Sequence, residues 1–328
     1  MTPDTVPWVV PRFGRSAWLA NPAQPAARFR YLVEIEGRSP ESDEARAARR
    51  EIPRRGWAAE VFRKQDPRGF WVHRKSLYRP KYVSTNWRLY VLSELGLTAR
   101  DPRIRRAVDL IMEDDGWSDG PFRGRHEGTP HFCFVGNTAR MMIDFGLADD
   151  RRVKSSLDWL VDRQLEDGGW DCFGRPRGTL DCWEALAAFA ALGRRRWTRK
   201  WKSTVERGAE FYLERRLLRE GRHRYAPWER LHYPVHYYYD VLVGLETLCR
   251  LGYGDDPRMR PARELLVRKR RPDGTWKLDA IHPDLGRGAN YSEEHARRFA
   301  LERSGARSKW ITLRALEVLD EGKATRSR

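Results

Sequence analysis

Apolar residues recur at helical spacing along most of the chain, in two alternating kinds of segment. In one, Val153, Leu157, Leu160 and Val161 stand three or four apart among charged residues, the pattern of a helix with one buried face. In the other, as from Cys182 to Leu192, the residues are apolar nearly all round, the pattern of a helix enclosed on every side. Between them stand glycine stops such as Gly146 and Gly252, followed by Asp-Asp turns at Asp149-Asp150 and Asp255-Asp256 that suit helix N-caps. Each pair therefore predicts a helical hairpin, with an inner and an outer helix.

The hairpins repeat. A glutamine or basic residue, a turn, then glycine and tryptophan recur at Gln65–Trp71, Asp115–Trp117, Gln164–Trp170 and Arg270–Trp276. Gly146 and Gly252 stand 106 positions apart (252 − 146), as do Trp170 and Trp276 (276 − 170). Half of that interval gives a unit of roughly fifty residues, a length typical of stacked helical repeats. Residues 179–224 fill the slot between the two long copies with a version lacking the Gly-Trp end. Inner helices are expected to start near Ser84, Cys133, Asp181, His236 and Lys309. The last has no outer partner in sequence, and an outer helix at 55–65 would close the ring. The expected fold is all-α, an (α/α) toroid of about five hairpins around a central cavity. It occupies residues 55–328 and is preceded by a partly irregular extension, 1–54, with one helix near Ala26–Ile35.

Trp159, Leu160, Gln164, Gly168 and Trp170 resemble the QW motif of squalene–hopene cyclases and related triterpene cyclases. Their α/α-toroid superfamily also contains the β subunits of protein prenyltransferases. The resemblance spans about residues 55–320, and implies that the Gln and Trp residues tie an outer helix to the next turn. Activity does not follow from it, since one fold hosts many chemistries. The Asp-x-Asp-Asp acid motif of the cyclases is missing.

The cavity mouth should gather residues from the starts of the inner helices. Trp87, Trp183, Tyr237, Tyr239 and Trp310, with Lys309, are the candidate ligand-binding residues. Aromatic faces bind apolar chains and stabilise cations, at roughly 0.5–2 kcal/mol each. Arg88, Arg140, Lys309, Arg314, Lys75, Arg79 and Lys81 are the cations available to a diphosphate. Asp181, Asp240 and Glu184 are acids that could face the cavity, with Asp181 and Asp240 the catalytic candidates. Cys133, Cys172 and Cys182 with His236 or His131 have the ligand types of a closed zinc site. Asp181, Cys182 and His236 resemble the open zinc triad of the prenyltransferase β subunits, although Asp181 and Cys182 are adjacent here, where that family places one residue between them.

Composition adds partners and compartment. Net charge is +17, with Lys+Arg 63 against Asp+Glu 46. The densest basic run, Arg194–Lys202, contains Trp197 and Trp201. It reads as a solvated helix start, with contact to a membrane surface or to unpaired bases as the other readings. Five prolines interrupt the first thirty residues, no long apolar run occurs, and the four cysteines form no Cys-x-x-Cys pair. A cytoplasmic protein is expected.

The functional expectation is a toroid that binds an isoprenoid, a prenyl diphosphate or another apolar molecule. If it is an enzyme, the resemblance implies prenyl transfer with Zn2+ and a separate helical protein partner. The rival readings are a non-catalytic ligand-binding or scaffold toroid, and a nucleic-acid binder acting through its basic outer face.

Overall fold

The long segments of helical periodicity form helices. The structure, a computed structural model, describes residues 16–114, 120–124, 130–220, 223–281 and 300–320. The turn Asp115–Trp117, one of the four repeated phrases, lies outside the described residues. The helices are α1 (Pro25–Arg30, continued by a π-helical turn at Tyr31–Ile35), α2 (Asp43–Glu51), α3 (Gly56–Phe62), α4 (Thr85–Glu94), α5 (Pro102–Asp114) and α6 (Phe132–Asp144). They continue with α7 (Arg151–Asp162), α8 (Trp183–Leu192), α9 (Arg199–Glu214), α10 (Val241–Arg250), α11 (Arg260–Arg268) and α12 (Lys309–Leu319). The strands among the described residues are two short antiparallel pairs.

Helices α4, α6, α8, α10 and α12 form the inner ring, each packed against the next. Helices α5, α7 and α11 pack outside α4, α6 and α10, and α9 outside α8. The ring closes through the N-terminal part of the chain. Helix α3 packs on α4, α1 packs on α12, and Trp57 of α3 meets Trp310 of α12 edge-on at 5.9 Å. The result is the all-α toroid of inner and outer helices. The burial pattern matches the two sequence types. In α4 every residue from Thr85 to Ser93 is buried, whereas α7 buries Val153, Leu157 and Leu160 on one face.

Local chemistry stops two inner helices, and starts three outer segments, in the same way. Gly146 ends α6 at φ +90° and Gly252 ends α10 at φ +88°, a region that costs glycine nothing. The following amides, Leu147 N–H and Tyr253 N–H, each return 2.9 Å to carbonyls at Met142 and Leu248, so the last turn is satisfied. At the starts, Asp101, Asp150 and Asp256 accept the backbone N–H two residues on, at 2.9 Å, and the guanidinium of that same residue (Arg103, Arg152, Arg258) folds back onto the carboxylate.

The repeated Gln…Gly…Trp turn is a three-way joint. Gln164 Nε2 donates to Gly168 O at 2.8 Å and to Thr204 O of α9 at 2.9 Å, while Trp170 Nε1 donates to Leu160 O of α7 at 2.8 Å. Gln65 and Trp71 repeat the arrangement on Gly69 O, Arg103 O and Val61 O. In the last copy Trp276 Nε1 reaches Leu266 O at 2.7 Å, and its backbone N–H reaches Thr312 of the next inner helix. The tryptophan bonds thus satisfy carbonyls in the last turns of α7, α3 and α11, which a helix end leaves open.

Helices α6 and α8 approach most closely because Gly136 lacks a side chain. A Cβ there would stand 2.5 Å from the Glu184 carbonyl carbon. The N-terminal segment is part of the same packing, with Ala27, Tyr31 and Leu32 in the continuous core. No helix among the described residues is long and apolar enough to cross a membrane.

Candidate functional site

The inner helices start at one end of the ring, and the segment from Leu231 to Tyr239 is drawn into that end. His232 anchors it from below. Asp240, the N-cap of α10, accepts the His232 backbone N–H at 3.0 Å, faces its Nδ1 at 2.7 Å, and takes the Val243 N–H at 2.9 Å. Both side chains are fully buried. Burial pushes the Asp240 carboxyl up, but His232 and the amide bonds hold it below the usual carboxylate range. Asn137 of α6 then donates to His236 O at 2.8 Å and fixes the tip.

That tip completes an aromatic cluster. Trp87, at the start of α4, lies 4.8 Å from the Tyr78 ring, 5.0 Å from Tyr82, 5.2 Å from His236 and 5.7 Å from Tyr237. Tyr237 and Tyr238 stack at 4.4 Å, and the hydroxyls of Tyr82, Tyr237 and Tyr238 meet, two of the pairs at 2.9 Å. Lys81 Nζ lies 5.0 Å above the Tyr237 ring. Trp87 and His236 are buried, whereas Tyr78, Lys81, Tyr237 and Tyr238 are half-buried, so the cluster has an accessible rim. Burial, then the neighbouring phenols, pushes the Tyr238 hydroxyl far above its ordinary range, so that hydroxyl stays neutral.

A thiol cluster adjoins the rim between α6 and α8. Cys172 and Cys182 face each other with sulfurs 3.6 Å apart, and Cys133, in the first turn of α6, is within hydrogen-bonding reach of Cys172. Beneath them Glu184 is fully buried, and both its carboxyl oxygens lack a hydrogen-bond partner among the described residues. Burial, then the charge at Cys172, pushes its carboxyl well above the ordinary range. The Arg140 guanidinium covers the Trp183 ring at 5.0 Å and bonds Asn137 Oδ1 at 3.0 Å and Glu94 at 3.3 Å.

The opposite end of the ring is ionic. Arg30 of α1 bonds Glu246 at 3.0 Å and also Glu317, and Arg314 Nε bonds Glu246 at 2.7 Å. These charges occupy the space between α10, α12 and α1.

The structure sorts the sequence candidates. It brings together Trp87, Tyr237 and His236 at the rim, whereas the Trp183 ring lies under Arg140. Tyr239 is turned the other way: its hydroxyl donates to Leu217 O at 2.9 Å and its ring packs on Trp228 and Tyr212. Trp310 packs between Trp57, Tyr233 and Arg30, and Lys309 lies under Trp18, bonding its carbonyl. The N-terminal segment covers both. Asp181 is exposed and accepts from Trp228 Nε1 at 2.7 Å, and Asp240 is spent on capping and His232. Neither aspartate faces the aromatic cluster. Arg88 and Arg314 are turned to Val83 O and Glu246.

The expected zinc ligands fit a metal poorly. Cys133, Cys172 and Cys182 converge, but the His236 ring packs tilted against Tyr82 at 5.1 Å and edge-on against Trp87 at 5.2 Å, as a member of the aromatic cluster. Among the described residues no group of three or more His, Cys, Asp or Glu side chains is placed to hold a metal ion.

The basic side chains of the run Arg194–Lys202 are exposed, whereas its two tryptophans turn inward. Trp197 Nε1 donates to Phe189 O at 2.9 Å and Trp201 Nε1 to Asp158 at 2.7 Å, while Lys200 pairs with Asp162. Neither indole is presented for stacking on bases.

Sequence reasoning missed Tyr78 and Tyr82, which lie in the loop before α4 and not at a helix start. It passed lightly over Glu184, whose signal was a single acid in a helix otherwise built of Trp, Ala, Leu and Phe.

No family model and no curated protein matches this chain. Among solved structures, the type II terpene cyclase MstE from Scytonema, without ligand, is similar over 92% of this chain and 96% of its own, at 16% identity and a TM-score of 0.47. A variant of MstE solved with its substrate geranylgeranyl dihydroxybenzoate is similar over 92% of this chain and 87% of its own, at 17% identity and a TM-score of 0.44. A protein from Actinoplanes is similar over 90% of this chain and 86% of its own, at 18% identity and a TM-score of 0.44. Likeness at this level carries no reading of activity, which rests on the residues above.

Proposed function

We propose that the aromatic rim binds an apolar, unsaturated molecule of the isoprenoid class. The observation that carries this reading is the Trp87 cluster with its half-buried edge of Tyr78, Tyr237 and Tyr238. Buried rings alone would be ordinary core. Rings that remain partly open at the entrance of a helical ring present π faces to an incoming chain, and π faces favour polarised double bonds and cations over saturated chains. Lys81, with its ammonium over Tyr237, is placed to meet an anionic head group at the rim.

The test is thermal shift and tryptophan fluorescence with farnesyl and geranylgeranyl diphosphates and the matching alcohols. Stabilisation by either series, reduced when Tyr237 and Tyr238 are both changed to Ala, supports the reading. No response to any of these ligands at saturating concentration would remove it.

A further inference from the structure

Three of the four cysteines meet at one place, and their arrangement is a line and not a cage. Cys172 is central. The Cys182 thiol donates to its sulfur at 3.6 Å, and the thiol and backbone N–H of Cys133 lie within reach on the other side. Cys133 is the second residue of α6, a helix of 13 residues, so the amide it offers is one of the open N–H groups of that helix end. All of these are donors, and Cys172 Sγ is the acceptor they share.

Access differs between the two facing sulfurs. Cys172 is half-buried and its neighbour Phe173 is 78% exposed, whereas Cys182 is buried. The loop between them is tied at both ends. Asp171 accepts the backbone N–H groups of Phe173 and Arg175 at 2.8 Å, and Thr179 N–H donates to Trp170 O at 3.0 Å. The facing pair is therefore a fixed feature of the fold. A disulfide bond length of about 2.05 Å is about 1.5 Å shorter than the present gap.

We propose that Cys172 and Cys182 form a dithiol site oxidised by small hydroperoxides, with the more accessible Cys172 reacting first and Cys182 as its resolving thiol. Cys172 sulfur attacks the terminal peroxide oxygen; an S–O bond forms, the O–O bond breaks, and the departing oxygen takes up the proton that the Cys172 thiol gives up and leaves as water or an alcohol. Cys182 sulfur then attacks the Cys172 sulfenic acid; the S–S bond forms, the S–O bond breaks, and the hydroxide leaves as water with the Cys182 proton. The two thiols lose two electrons, and the peroxide gains them. This site is independent of the ligand reading, and either can fail without the other.

The experiment treats reduced full-length protein with one equivalent of hydrogen peroxide, blocks remaining thiols and maps the peptides. Two of the four thiols should be lost, with Cys172 and Cys182 in one cross-linked peptide. Cys249, which lies outside the cluster and faces no second thiol among the described residues, should stay reduced at one equivalent. In Cys182→Ser, a sulfenic acid should persist at Cys172 and be trapped by dimedone. In Cys172→Ser, the same equivalent should leave the other thiols intact. A cross-link through Cys133, preferential oxidation of Cys249, undiminished thiol loss in Cys172→Ser, or tightly held zinc shielding the cluster would each overturn the assignment.

Discussion

The side-chain amide of Gln164 donates to the Thr204 carbonyl at 2.9 Å, joining two outer helices across 40 residues of chain. The bond matters because the same nitrogen also closes its own turn on Gly168 O. Gln164→Ala should lower unfolding free energy by about 1–2 kcal/mol, the range for losing a partly buried hydrogen bond. Gln65→Ala should cost a similar amount, since Gln65 makes the same two bonds. Chemical denaturation of the two variants measures both effects.

Gly136→Ala should be among the most damaging small substitutions. The new methyl would stand 2.5 Å from backbone of α8, which cannot rotate away as a side chain can. Overpacking typically costs about 1–3 kcal/mol, and this contact belongs at the upper end. Gly146→Ala meets no neighbour but carries φ +90°, so its cost should be conformational and smaller. Denaturation midpoints of the two variants would rank them.

Stability should depend on acid through Glu246. Burial pushes its carboxyl up, but Arg314 and Arg30 outweigh this and hold it down at about 2. A depressed carboxyl contributes stability above the unfolded value of about 4.3 and loses it as pH falls through the folded one. Glu246→Gln leaves two buried guanidinium groups short of a partner, at about 3–5 kcal/mol near neutrality. The gap between wild type and variant should narrow as pH drops from about 4.3 to about 2. A constant gap in urea titrations across that window would refute the assignment.

At the rim, Tyr237→Phe and Tyr238→Phe should separate ring from hydroxyl. Each keeps the stacked face and removes one member of the hydroxyl triad. If an isoprenoid chain binds through π faces, its affinity should change by no more than a few-fold, whereas Tyr→Ala at the same positions should weaken it about 10-fold or more. Binding isotherms with one prenyl alcohol give the comparison.

Removal of residues 1–54 should leave an unstable ring. The truncation strips Arg30 from Glu246 and Glu317 and uncovers Trp310, Leu32 and Tyr31 being part of the same core. The expected result is aggregation or a broadened thermal transition, read by light scattering and circular dichroism. A truncated chain that melts as sharply as the whole would show that the extension is dispensable.

Much of the fold was legible because its signals are local. Glycine stops, aspartate caps and the change from all-apolar to one-faced helices depend on residues within a turn or two, and the repeated phrase showed that the units stack. Partners of single residues were less legible. Tyr239 and Tyr237 are two apart in a segment that is not helical, so one faces Trp228 and the other Trp87; neither direction is written in their order. Lys309 and Trp310 begin an inner helix, yet Trp18 and Arg30 cover them, because the ring closes through the N-terminal segment.

The sequence by itself determined the helices, their alternation and the repeat, because backbone hydrogen bonding and apolar periodicity act over neighbouring residues. Only the tertiary structure decided which side chains share a site. The convergence of Cys133, Cys172 and Cys182, the isolation of Glu184 and the burial of Asp240 against His232 all depend on how the hairpins pack and where the Leu231–Tyr239 segment enters the ring. Those placements come from contacts between residues tens of positions apart, and the direction of a side chain at such a contact is set by the shape of its neighbours.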